Sequence, residues 1–277
     1  MRDYLNKHIL LKTGAAFLFY LGLTTIIRIV KHLLNISCSS NFSYLINEVV
    51  LWAVPAIITA IVFKTIGVLK SFKFKDFFWS LFYAGLPLMI SFAGSSAILF
   101  FKKGSEFKGP FEIICFILLM LTVGLAEELA FRGVFEELLL RRLGNTEKGT
   151  ALSILIPSFL FGILHLENLL NGQPVTYTLV QVFGAFCMGA LFSTIYARRR
   201  NIWSVILVHG AVDFMGICYY ALYKGVGIND SISVDADDPM IMLLANSAFL
   251  VIAVILFFAT KKRAIKLRKN PEPKLAA

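Results

Sequence analysis

Residues 111–136 read FEIICFILLMLTVGLAEELAFRGVFE. The apolar first half of this stretch leads into charged residues with no loop signal between them, which predicts one helix inside a membrane. Ionisable side chains are costly there and indicate function by default. Glu128, Arg132 and Glu136 follow at intervals of four and share a helix face, which gives Glu128 a partner. Glu127 has none, and an unpaired carboxylate in apolar surroundings is a candidate general base.

The composition predicts an all-α, polytopic membrane protein. Of the 277 residues, 58% are hydrophobic and only 16% are charged, and the mean hydropathy of +0.76 lies outside the range of soluble domains. The net charge of +10 is better explained by Lys and Arg in loops on one side of a membrane than by a nucleic-acid partner. The four cysteines have no metal-ligand spacing and are expected to be small core residues.

Eight apolar segments approach the roughly 20 residues that a membrane-spanning helix needs. They cover residues 9–30, 45–63, 77–101, 111–131, 151–170, 175–197, 202–222 and 240–260. We expect one structural domain in four parts: three N-terminal helices within 1–110, a helical core with the polar motifs within 111–222, an acidic outer loop and the last helix within 223–260, and a basic tail over 261–277.

The distribution of Lys and Arg predicts the orientation of the chain. Apart from Arg132 of the polar stretch, nineteen of them lie in the two terminal segments and in the loops after the second, fourth and sixth spans, whereas four lie in the loops after the third and seventh spans and Lys31 directly follows the first. Cytoplasmic loops carry the excess of Lys and Arg. Both termini are therefore expected to face the cytoplasm.

Two further spans carry histidines. One contains Phe161 and His165 in the sequence FGILH, and the other contains His209 and Asp213, one turn apart on a helix face. These polar side chains and Glu127 all carry a desolvation cost unless they meet in one polar cavity. Such a cavity favours hydrolysis of a peptide or ester, because a carboxylate can deprotonate water, a histidine can orient that water, and further donors can stabilise the oxyanion.

The same side chains leave a metal site open as an alternative. Glu127, His165 and His209 would make a zinc set of two histidines and one glutamate, with Asp213 as a fourth ligand. The His-Glu-x-x-His helix of the common zinc proteases is absent. Hydrolysis with and without a metal both fit these residues, so the sequence assigns no cofactor.

Three motifs in this order resemble the CPBP (Abi) family of intramembrane proteases. They are Glu-Glu-x-x-x-Arg at 127–132, Phe-x-x-x-His at 161–165 and His-x-x-x-Asn/Asp at 209–213. The family includes the type II CAAX prenyl proteases and bacterial relatives linked to bacteriocin maturation and self-immunity. The resemblance covers about residues 111–222. It implies a membrane-associated peptide or protein as substrate and the plasma membrane of a bacterium as location.

The resemblance also implies a role for each motif residue. Glu127 would activate water with the help of His165, while His209 and the residue at 213 would stabilise the oxyanion. The other two charged residues of the first motif would support the helix and the cavity; they are Glu128 and Arg132. Asp213 departs from the Asn of the CAAX-processing members, and it can donate a hydrogen bond only when protonated.

The rise per residue of an α-helix places Glu127 and His165 at different depths in the membrane. At ~1.5 Å per residue in a core of ~30 Å, Glu127 lies roughly 6 Å from the cytoplasmic edge of its span and His165 roughly 21 Å from that edge. They meet only if the fourth helix sits deeper and continues toward Arg142, while the fifth begins in a cytoplasmic vestibule. We predict that geometry, with a site reached from the cytoplasmic side.

Two other functions fit parts of the pattern. One is a non-catalytic immunity or partner-binding membrane protein of the same fold. The other is a transporter that uses the intramembrane Glu, His and Asp side chains as a proton relay, although the sequence lacks the repeats typical of such transporters.

Overall fold

The computed structural model describes residues 2–81, 85, 88, 89, 93, 106–170, 172–226 and 239–269, and within these ranges the chain is almost entirely helical. The helices are α1 Arg2–Leu33, α2 Asn41–Val62, α3 Phe74–Ser80, α4 Pro110–Leu143, α5 Glu147–Leu164, α6 Val175–Arg199, α7 Ile202–Leu222 and α8 Pro239–Lys269. A 3₁₀ turn over His165–Leu169 continues α5. The predicted all-helical fold is confirmed for the described residues.

Seven of these helices, all except α3, are long and apolar enough to cross a membrane. They correspond to seven of the eight predicted spans. Most of the other predicted span, residues 77–101, lies outside the described residues, as do most of the predicted acidic loop and the end of the basic tail. The described helices are therefore consistent with a polytopic membrane protein.

Helix α4 is longer than its apolar run alone predicts. It extends over 34 residues and continues to Leu143, as the depth of Glu127 requires. Its middle part, Leu129–Glu136, is a π-helix. A π segment has more residues per turn than an α-helix and changes which side chains align. Within this part of α4, Arg132 donates a hydrogen bond to Glu128, and the fully buried Glu136 is close enough to Arg132 to interact with it electrostatically.

Helices α4 and α7 cross at a pair of glycines. A Cβ atom on Gly124 would lie 2.5 Å from the carbonyl oxygen of Ile206, and a Cβ atom on Gly210 would lie 2.7 Å from that of Met120. Only residues without a Cβ allow the two backbones to approach so closely. Glu127 and Glu128 lie one turn further along α4. The crossing therefore brings them next to His209, the residue that precedes Gly210.

Candidate active site

His209 lies at the centre of a buried network. Its Nδ1 atom is 2.7 Å from Oε1 of Glu128. The same Glu128 oxygen accepts a hydrogen bond of 2.8 Å from Nη1 of Arg132, whose Nη2 donates to the carbonyl of Gly189 on α6 at 3.0 Å. The side chains of Glu128 and Arg132 are completely buried. This ion pair holds the Nδ1 edge of the His209 ring and connects α4, α6 and α7.

The other ring nitrogen of His209 faces two carboxyl groups. Its Nε2 atom lies 3.3 Å from Oε2 of Glu127 and 3.4 Å from Oδ2 of Asp213. His209 itself is buried, whereas the side chains of Glu127 and Asp213 are each 28% exposed. Adjacent glutamates therefore have different surroundings. Glu128 is bound within the protein core, and Glu127 borders open space.

His165 reaches this group from α5. It is the first residue of the 3₁₀ turn, and its Nδ1 atom lies 2.9 Å from the carbonyl oxygen of Phe161. The Phe161 ring makes edge contacts with the rings of both His165 and His209. His165 is close enough to Glu127 and Asp213 to interact with both electrostatically. The structure thus brings together all four side chains that the sequence selected as catalytic.

Glu127 and His165 line one small cavity. Its volume of about 50 Å³ exceeds the ~10–15 Å³ that one water molecule requires. Phe131 and Phe161 form part of its wall. The cavity can hold water next to the carboxylate of Glu127, which is the arrangement that a general base requires.

Sequence reasoning missed the outer wall of the cavity. Tyr20 of α1 and Trp52 of α2 line it together with Glu167 and Asn168. Glu167 forms an ion pair of 2.6 Å with Arg28, whose guanidinium also lies over the Trp52 ring; both contacts join α1 to the cavity wall. Glu167 and Asn168 follow His165 directly in the chain, so their position carried a signal. Tyr20 and Trp52 lie in ordinary apolar spans, and no sequence signal marks them as part of a site.

The donor geometry does not fit the metal site that the sequence left open. Across the described ranges, no group of three or more His, Cys, Asp or Glu side chains is arranged to hold a metal ion. We therefore derive no chemical step through a metal.

The fold and the site define a helical membrane protein with a buried Glu-His cluster next to a water-sized cavity. Residues 109–215 match a family model described as "Type II CAAX prenyl endopeptidase Rce1-like". Every catalytic candidate lies within the matched segment. The match confirms the family resemblance that the three motifs indicated, and it supports peptidase activity in general. Neither the curated proteins nor the solved structures that were compared with the chain gave a match.

Proposed function

We propose that the protein is an intramembrane endopeptidase that hydrolyses a peptide bond in a membrane-associated peptide or protein. The observation that carries this proposal is the position of Glu127, which lines the cavity with His165 and also lies 3.3 Å from His209, itself 3.4 Å from Asp213. These side chains come from α4, α7 and the 3₁₀ turn that continues α5. They lie in the segment that matches a protease family, which favours peptide hydrolysis over other reactions of activated water.

In the proposed reaction Glu127 takes a proton from a water molecule, and the water oxygen forms a bond to the carbonyl carbon of the scissile peptide. His165 orients that water. The carbonyl oxygen becomes an oxyanion, and the Nε2–H of His209 donates to it when both ring nitrogens carry a proton. Collapse of the tetrahedral intermediate breaks the C–N bond, and Glu127 returns its proton to the leaving amine.

Glu128 and Arg132 act through His209 in this scheme. The Glu128 carboxylate accepts a hydrogen bond from Nδ1–H of His209 and holds the ring so that Nε2 faces Glu127 and Asp213. Arg132 balances the charge of Glu128 in the buried core. These two are positioning residues, and they support the reaction without touching the substrate.

Asp213 is expected to stabilise the oxyanion as a protonated acid. The Asp213→Asn variant should retain activity within an order of magnitude, because an amide also donates a hydrogen bond. Asp213→Ala should reduce kcat by about 10²–10³, the usual cost of one oxyanion donor. Steady-state cleavage by the purified variants measures both effects. An alanine variant as active as the asparagine variant would remove Asp213 from the mechanism.

The proposal predicts hydrolysis that survives a chelator. Purified protein in detergent should cut peptides extracted from the membranes of the expressing cells, and mass spectrometry should find the same new termini with and without EDTA. Cleavage lost on chelation and restored by zinc would contradict the metal-free scheme. Proton flux through liposomes containing the protein, with no new termini, would instead support a transporter.

A further inference from the structure

The helices of the described bundle have two distinct ends. At one end, Arg141 donates to the carbonyl of Lys64 at 3.0 Å, and Lys261 pairs with Glu147 at 2.8 Å. We call this the basic end, since its loops and flanking turns include Lys64, Lys70, Lys73, Arg141, Arg142, Lys148, Arg199 and Arg200. By the excess of Lys and Arg, the basic end faces the cytoplasm.

The opposite end is tied together by other contacts. Asn41 donates from Nδ2 to the carbonyl oxygens of Glu112 and Ala221, at 3.0 and 2.9 Å. The Arg28–Glu167 pair joins the last turns of α1 to the 3₁₀ turn after α5. The starts of α2 and α4 and the ends of α1, α5 and α7 therefore share this end.

Between the site and the basic end, the protein is closely packed. Every residue of α4 from 128 to 140 is buried, as is every residue of α6 from 189 to 197. Phe131, Phe135 and Phe161 make edge-to-face contacts directly below Glu127 and are at most 3% exposed. A peptide cannot reach Glu127 from this direction without displacing these three phenylalanine side chains.

Between the site and the opposite end, α4 and α7 pack around a buried apolar cluster that includes Phe116, Met120 and Tyr219, whereas the cavity wall next to the 3₁₀ turn is polar and partly exposed. Asp213 lies one turn beyond His209 in this direction, and a further turn brings Gly216, which is exposed and where an added Cβ atom would meet no other atom within 4 Å. Glu167 and Asn168 lie beyond His165 and line the cavity. The side chains of Arg28 and Glu167 are 37% and 30% exposed. Glu167 and Asn168, the partly exposed polar side chains of the cavity wall, therefore lie on this side.

We propose that the cavity opens toward the non-cytoplasmic side of the membrane and receives a peptide segment from there. This replaces the cytoplasmic access expected from the sequence. The direction of opening follows from the packing and the charges alone, whereas the nature of the substrate rests on the proposed function. The substrate is then an exported or outer-leaflet-anchored peptide. A cytosolic tail at the basic end would meet the packed layer instead.

Cysteine labelling tests the direction of opening without any measurement of activity. Cys38→Ser gives a background in which the remaining cysteines, Cys115, Cys187 and Cys218, are buried. A matched pair of variants is then Asn168→Cys in the cavity wall and Asn145→Cys in the exposed loop at the basic end. A membrane-impermeant maleimide is added to intact cells that carry the protein in their outer boundary membrane. Asn168→Cys should react at once, and Asn145→Cys only after permeabilisation.

A third variant keeps the test decisive if Asn168→Cys misfolds through loss of its hydrogen bond to Gln181. Leu170→Cys replaces a side chain that is 88% exposed next to the cavity. Labelling of Leu170→Cys but not of folded Asn168→Cys in intact cells would overturn the proposed opening. Labelling of Asn145→Cys before permeabilisation would overturn the orientation. Either result would leave the proposed hydrolysis standing, because none of the three variants alters a catalytic residue.

Discussion

Glu127→Gln is expected to lower kcat/KM for peptide cleavage by about 10²–10⁴ while the protein stays folded, since general base catalysis contributes that much. The amide cannot take the proton from water, yet it has nearly the same size and shape as the carboxylate. The side chain borders the cavity and forms no part of the buried Glu128–Arg132 pair. Cleavage of a fluorogenic peptide that the wild type cuts, followed with purified protein, measures the loss.

Glu147→Gln is the matched control for this variant. Glu147 begins α5 at the basic end, and its exposed side chain pairs with Lys261, far along the helix from His165. Its replacement should leave both the cleavage rate and the melting temperature unchanged. An unchanged rate in Glu127→Gln would contradict the role of this residue as base. A melting temperature lowered as far as in a core variant would mean that Glu127 is structural.

Arg132→Leu is expected to destabilise the fold itself. Glu128 and Arg132 are both fully buried, and removal of one partner leaves the other charge buried without its partner, at a cost of about 3–5 kcal/mol. The variant also loses the hydrogen bond to Gly189 that joins α4 to α6. The yield of monodisperse protein and the thermal midpoint in detergent should fall together with activity.

Arg142→Leu provides the comparison for this effect. Arg142 lies ten residues further along the same helix and is exposed, so its loss should leave the thermal midpoint nearly unchanged. Equal melting temperatures for Arg132→Leu and the wild type would show that the buried pair does not stabilise the bundle. Activity lost without any loss of stability would place Arg132 in the reaction instead.

Much of the helical fold and of the candidate site can be predicted from local sequence patterns. Apolar runs of membrane-spanning length locate seven helices that the structure describes. The intervals of four from Glu128 to Arg132 and from His209 to Asp213 are local, and both pairs are in contact. The cost of burying these groups correctly predicts that residues from three spans meet.

Two features lie beyond local sequence patterns. The π segment over Leu129–Glu136 is one of them, because the intervals of four between Glu128, Arg132 and Glu136 are those of a regular α-helix. The outer wall of the cavity depends on how α1 and α2 pack against the end of α5, which places Tyr20 and Trp52 beside Glu127. No spacing within either span encodes that packing.

The depth of Glu127 estimated from the helical rise was correct about the length of α4 but incomplete about the site. It required the helix to continue toward Arg142, and α4 ends at Leu143. It assumed that depth within one span indicates the side of access. Phe131, Phe135 and Phe161 pack against one another next to Glu127, and distances along single helices cannot reveal that packing.

In the proposed reaction, Glu127 activates the water that cuts a peptide bond in a membrane-associated protein. The most direct measurement compares peptide termini in membranes from cells with the wild-type protein and from cells with Glu127→Gln at equal expression. We expect at least one terminus that is present with the wild type and with Glu147→Gln and is missing with Glu127→Gln. Identical sets of termini in all three membranes would contradict the claim.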